Sequence, residues 1–138
     1  MIWHKALTTE MLNSRGAHTM VEYLDIRVTE VGADFIVATM PVDHRTKQPA
    51  GLLHGGASVV LAESIASMAG NCVVGPNKMC VGLEINANHL RPVTDGHVVA
   101  RTTPLHIGKS TQVWQTEIRH NGKLSCVSRM TLAVIDRK

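Results

Sequence analysis

A chain of 138 residues with 44% hydrophobic content has the size and apolar fraction of one domain that buries its own core. Aromatic residues make up only 3%, so Val, Leu, Ile, Ala and Met must build that core. The net charge is +3, with no Lys/Arg stripe and no interleaved aromatics, which argues against a nucleic-acid surface and suits a small anionic ligand.

Residues 7–13 read as a short helix, with a threonine to cap it and Glu10 near its positive end. A second helical turn is expected over 19–24. The period then changes to two. Residues 26–31 alternate, 35–40 form a more continuous apolar run, and Gly32-Ala33-Asp34 between them predicts a hairpin. A polar loop follows from Asp43 to Gly51. Residues 55–70 contain no proline and no wide polar face, so they read as a helix buried nearly all round and wrapped by a sheet. Strands are expected over 79–91, 97–107, 111–120 and 124–135, with turns at Asp95-Gly96 and Asn121-Gly122. Pro104 inside one run marks an edge or a bulge. Hairpin, long helix and a four-strand meander make an α+β chain, a single domain over 1–138 with one helix packed on one antiparallel sheet.

Several chemistries lack their sequence marks. Cys72, Cys80 and Cys126 show no CxxC spacing. Their odd count and the lack of a signal peptide predict reduced thiols, used as core filler, in a cytoplasmic protein. No apolar run approaches the roughly 20 residues of a membrane span. There is no HExxH and no histidine cluster, so no metal is expected, and no GxSxG elbow, P-loop or GxGxxG. His4, His18, His44 and His120 read as surface groups.

Three features of the long helix carry chemistry. Glu63 is the only charged side chain between Lys47 and Lys78. A buried glutamate is rare unless paired or functional, although a groove or a subunit boundary would also accommodate it. The entry Gly51-Leu52-Leu53-His54-Gly55-Gly56 leaves free N–H groups at the positive end of the helix, where an oxyanion can be held. Gly-Gly equally serves a tight turn, with His54 as a simple cap. Ser67 follows Glu63 by four residues and shares its face, either to orient the carboxylate or to keep packing tight. Gly55 and Glu63 are eight residues apart, about 12 Å of helix rise. One carbonyl cannot touch both within a chain, so a site using both must lie between subunits.

These residues resemble the hotdog-fold thioesterase superfamily, in particular the bacterial branch with 4-hydroxybenzoyl-CoA, 1,4-dihydroxy-2-naphthoyl-CoA and enterobactin-proofreading thioesterases. The resemblance runs from Met1-Ile2-Trp3 to about Ile135. It is carried by Met40-Pro41-Val42-Asp43-His44-Arg45-Thr46, Gln48-Pro49, Gly51 to Gly56 with Glu63, Asn86 to Pro92, and the stretch near Gly108. It implies a long helix wrapped in a curved sheet, and a homodimer or homotetramer with shared sites. It implies hydrolysis of acyl-CoA, of aromatic or medium acyl groups, with no cofactor beyond the CoA of the substrate. Glu63 resembles the family's nucleophile or general base and Gly55 its oxyanion donor. Gln48 and His54 resemble the groups that position the carbonyl, and Ser67 their support. Gly82, His89, Leu90, Arg91 and Pro92, with His106, Ile107, Gly108, Lys109, Ser110 and Thr111, match positions lining the CoA groove. Ala50 stands where relatives often carry Phe, which bears on acyl preference. A hydroxyacyl-thioester dehydratase of the same fold, or an acyl-CoA-binding module without catalysis, are the rival readings. The His-Gly-Gly entry with Glu63 fits thioesterases better than the dehydratase spacing.

Overall fold

A computed structural model describes residues 1–138. The chain forms α1 (Thr9–Ser14), α2 (Met20–Tyr23), β1 (Arg27–Val31), β2 (Ile36–Pro41), α3 (Gly55–Val73), β3 (Lys78–His89), β4 (His97–Ile107), β5 (Thr111–His120) and β6 (Lys123–Asp136). All six strands join one antiparallel sheet in the order β1-β2-β4-β5-β6-β3. The α+β expectation of one long helix on one antiparallel sheet holds.

Local chemistry sets the ends of these elements. Thr8 Oγ1 accepts from Met11 N–H at 3.1 Å and caps α1. Asn121 and Gly122 both adopt positive φ, 49° and 78°, the pairing that a tight β5–β6 hairpin requires.

The four-strand meander holds only for β4, β5 and β6. β3 instead crosses to the far side and pairs with β6, while β2 takes the other side of β4. Strand chemistry accounts for this. Val98, Ala100 and Thr102 of β4 are buried and suit the middle of the sheet. Glu84, Asn86 and Asn88 of β3 are exposed and suit an edge. Pro104 lies at a bulge, two residues beyond Thr102, where pairing with β2 ends.

α3 is not buried all round. Ser58, Leu61, Ala62, Ile65, Ala66, Ala69, Gly70 and Cys72 are buried against the core, while Glu63 is exposed. A single sheet covers one side of a helix only, which the small residues on both faces concealed. At 19 residues and mean hydropathy 1.2, α3 also reaches the length and apolarity of a membrane span, contrary to the sequence expectation. Its apolar stripe is spent on the core.

Close approach of helix and sheet is visible at Gly70. A methyl group there would meet Leu132 Cδ1 at 2.4 Å and Gln112 Oε1 at 2.7 Å. Buried Gln112 donates to Gly70 O at 3.5 Å and accepts from Trp114 Nε1 at 2.8 Å, joining the helix backbone to the sheet. Trp114 stacks on Trp3, with ring centroids 6.3 Å apart. The three cysteines are free and buried, and burial pushes each thiol above its ordinary pKa.

Candidate active site

The loop between β2 and α3 is closed by its own polar groups. Buried Thr46 donates to Pro41 O at 2.8 Å and accepts from Asp43 N–H at 3.1 Å. Arg45 grips the Asp43 carboxylate with Nη2 at 2.7 Å and Nε at 3.2 Å, and donates to Tyr23 O at 3.1 Å. The Arg45 side chain, then its backbone N–H, hold the Asp43 pKa down to about 2. His54 N–H donates to Thr46 O and Gln48 N–H to Leu52 O, both at 2.8 Å, so the loop folds back to deliver His54 at the helix start. Its tip is Gly51, with φ of 86°, a conformation that a side chain would strain.

This frame fixes three predicted groups. His54 is the N-cap of α3, and its Nδ1 accepts from Gly56 N–H at 2.7 Å, which places the ring proton on Nε2. Gln48 Oε1 accepts from Ala50 N–H, leaving both Nε2 hydrogens available. Gly55 is the first residue of α3, so its N–H has no acceptor within the helix and lies at the positive end of the dipole. His89, the last residue of β3, covers Gly55 closely: a methyl group at 55 would meet His89 Nε2 at 2.9 Å. Gln48, Gly55, His89, Leu90, Arg91 and Pro92 line one groove of about 310 Å³. Arg91 is exposed and enters no ion pair.

Glu63 occupies a second place. Its carboxylate is exposed at the flank of α3 that meets β3, beside Gly82, where an added methyl would stand 3.5 Å from Oε2 and 2.9 Å from Met130 Cε. A bulge between Gly82 and Glu84 makes this possible. Seven positions along a regular strand would put Gly82 and His89 on opposite faces; the extra residue returns both to the helix side. Ser67, one turn beyond Glu63, borders a depression shared with Ser64 and Met68.

Strand register shows how far apart the two places are. His89 pairs with Cys126, and Gly82 with Leu132. Six residues along β6 separate those rows, roughly 20 Å. Leu132 continues to Gln112 and Ile107, so the turn with His106, Ile107, Gly108, Lys109, Ser110 and Thr111 falls at the Glu63 end. That turn is tied by Gly108 N–H to Thr111 O at 2.8 Å and by Val134 N–H to Ser110 O at 2.9 Å. One chain therefore brings Gln48, His54, Gly55 and His89 to Pro92 together. It brings Glu63, Ser67 and Gly82 together elsewhere, and it does not join Arg91 to Lys109.

Sequence reasoning missed several contributors. Ser58 and Ser125 also line the Gly55 groove, and Ser125 O accepts from Leu90 N–H at 2.8 Å. Ser58 follows Gly55 by three residues and was accessible from helix spacing. Ser125 enters through β6 pairing, which no local pattern announces.

Residues 50–127 match the family model described as the thioesterase superfamily. The chain is 56% identical over 137 residues to the 1,4-dihydroxy-2-naphthoyl-CoA hydrolase of Escherichia coli, covering 98% of this chain and 100% of the relative. It is 46% identical over 136 residues to the proofreading thioesterase EntH of Cronobacter sakazakii, covering 98% and 99%. The crystal structure of a thioesterase from Haemophilus influenzae superposes with a TM-score of 0.96 at 54% identity, covering 99% of this chain and 96% of that one.

Proposed function

Since the chain belongs to the thioesterase superfamily, has its hotdog fold and is a thioester hydrolase, we propose that it cleaves acyl-CoA, of aromatic or medium-length acids, to the free acid and CoA. Glu63 is the reacting carboxylate and Gly55 N–H the oxyanion donor. The observation that carries this reading is the pairing of two unspent groups on one helix. Glu63 is the sole ionisable side chain of α3 apart from buried Cys72, and it is exposed beside Gly82. Gly55 offers an unpaired N–H at the positive end of the same helix.

The chemistry needs little else. Attack on the thioester carbonyl, by Glu63 to give a mixed anhydride or by a water that Glu63 deprotonates, puts negative charge on the carbonyl oxygen. Gly55 N–H, helped by Gln48 Nε2 and His54, stabilises that charge. Collapse expels CoA thiolate, a good leaving group, so no metal or organic cofactor is required. In the anhydride route a water then cleaves the anhydride and frees Glu63; in the other the attacking water has already become the hydroxyl of the acid, and in both the thiolate takes up the proton that water gives up. Arg91, His89 and the Lys109 turn supply donors to the CoA phosphates.

A homodimer reconciles the two separated places. β3 is a 12-residue sheet edge, and two such edges paired antiparallel run the two copies of α3 in opposite directions. Gly55 and Gln48 of one subunit then face Glu63 of its partner. Pairing of two such dimers gives a tetramer. Three free buried thiols suit the reducing cytoplasm.

The test is release of free thiol from benzoyl-CoA by the wild type and by Glu63→Gln. The amide is nearly isosteric but is neither base nor nucleophile. Turnover should fall by roughly 10²–10⁴-fold with the fold intact by circular dichroism. Near-normal kcat in Glu63→Gln overturns the reading, and wild-type binding of benzoyl-CoA without thiol release favours a binding module instead.

A further inference from the structure

Ser58 stands one turn into α3, three residues past Gly55. Residues at that spacing are neighbours on a helix surface, about 5–6 Å apart at Cβ. Helical side chains tilt towards the N-terminus, so the Ser58 hydroxyl leans back over the turn that begins at Gly55. The residue is only 3% exposed. Its backbone N–H donates to His54 O at 3.3 Å, an oxygen that also accepts from Ala57 N–H at 3.0 Å. A helical serine commonly returns its proton to a carbonyl one turn back, as Ser14 does to Met11 O at 2.8 Å. Ser58 does not, and its hydroxyl has no partner within the chain.

That unspent hydroxyl opens onto the groove of Gly55. Thr102 Oγ1 is the one side-chain oxygen sealed from solvent without a partner, so the Ser58 hydroxyl keeps an opening, and Ser58 lines the groove. The other serine there is already committed, since Ser125 Oγ donates to Ile118 O at 3.0 Å. Leu52, Leu53, Leu90 and Pro92 give the groove apolar surface. Packing alone does not call for a serine at 58. Alanine is smaller by the hydroxyl, is the better helix former and strands no polar group. A buried hydroxyl that the chain leaves unsatisfied is completed by a polar group of the ligand.

The occupant follows from the reading of this groove as the seat of an acyl-CoA. With the thioester carbonyl at Gly55 N–H and the phosphates towards Arg91, the pantetheine arm crosses the groove. Two methylene groups separate the sulfur of that arm from its first amide, which keeps the amide in the neighbourhood of Gly55 that Ser58 occupies. An amide set among leucines needs a hydrogen-bond partner or it weakens binding. Gln48 Nε2 and His54 serve the carbonyl. The Ser58 hydroxyl, able to donate and to accept, is the polar side chain that the helix has left for the amide.

We propose that Ser58 is a substrate-binding residue whose hydroxyl hydrogen-bonds the amide nearest the thioester sulfur. The inference rests on the acyl-CoA reading of this groove. It makes Ser58 the residue that tells a thioester on a pantetheine arm from one on a plain alkyl thiol.

The experiment uses two competitors of benzoyl-CoA hydrolysis whose thiol chains have equal length. S-benzoyl-N-acetylcysteamine keeps the first amide, and S-pentyl thiobenzoate has none. Ser58→Ala should hold or raise the melting temperature. It should raise the KM of benzoyl-CoA roughly five- to tenfold, the worth of one neutral hydrogen bond, with kcat little changed. The inhibition constant of the amide competitor should rise by the same factor, while that of the pentyl competitor stays where it was. An unchanged KM in Ser58→Ala overturns the inference. So does an equal rise for both competitors, which is what a role at the carbonyl or in the fold produces. The two levels separate cleanly: a wild type that releases no thiol from benzoyl-CoA fails the underlying reading, and an active wild type whose two inhibition constants keep their ratio in Ser58→Ala fails only the role of Ser58.

Discussion

The imidazole of His89 lies so close over Gly55 that a single methyl group at position 55 would stand 2.9 Å from its Nε2. The last residue of a sheet edge thus packs against the first residue of the long helix. Position 55 is glycine because of what packs against it, in addition to any turn it permits.

Gly55→Ala should therefore separate stability from activity. Alanine is the better helix former, so the melting temperature should hold or rise. The methyl must displace His89 or tilt the N–H, and kcat/KM should fall at least about tenfold. The double variant Gly55→Ala, His89→Ala tests the cause. Its loss should be smaller than the sum of the two single losses, because the clash is gone. Strict additivity would disconnect the two residues.

Arg91 lines the same groove and has no acid partner. A cation gripping a phosphate holds ground state and transition state alike, so Arg91→Ala should raise KM more than it lowers kcat. The effect should shrink for a thioester truncated to the pantetheine arm, which lacks the nucleotide phosphates. Equal losses on full-length and truncated substrates would remove Arg91 from the nucleotide site.

How much of this site a sequence exposes depends on the range of the contact. Caps and turns are local, and Thr8, His54 and Asn121-Gly122 act within a few residues of themselves. The helix from Gly55 and the runs of the later strands follow from periodicity. The crossing of β3 to the far edge does not, because it is a competition between strands for the centre of the sheet. The bulge at Gly82 and Glu84 is one inserted residue inside an unbroken run, yet it decides which face Gly82 shares with His89. The hold of α1 on β1 was silent for the same reason: it depends on Asn13 finding the backbone of Val28, fifteen residues on.

The Asp43–Arg45 clamp makes a prediction about acid. The Asp43 carboxyl is held down to about 2 from 3.8, so its ionised form favours the folded state. A depressed carboxyl contributes above its unfolded value and loses that contribution as pH falls through its folded value. Asp43→Asn removes the contribution. The difference in melting temperature between wild type and Asp43→Asn should be constant above pH of about 4 and close towards pH 2. It should be modest, because the pair is partly solvated. A difference that persists undiminished at pH 2 would show that the loop is held without the charge on Asp43.

The final prediction concerns the division of the site between subunits. Two rulers agree that Gly55 and Glu63 of one chain cannot serve one carbonyl. Helix rise separates them by about 12 Å, and the strand rows beneath them lie roughly 20 Å apart. Gln48 belongs to the Gly55 groove. Each site should therefore take Gln48 and Gly55 from one subunit and Glu63 from the other. Glu63→Ala and Gln48→Ala proteins, each first shown to be severely impaired, are unfolded together and allowed to reassociate. In a mixed dimer one site receives an intact Gln48 and an intact Glu63, while its other site carries both lesions. Random pairing makes about half of the dimers mixed, so roughly a quarter of wild-type activity should return. If each site lay within one chain, every site of a mixed dimer would still carry one lesion, and activity would stay at the level of the separate variants. That outcome, with mixed dimers confirmed by native mass spectrometry, would overturn the shared site.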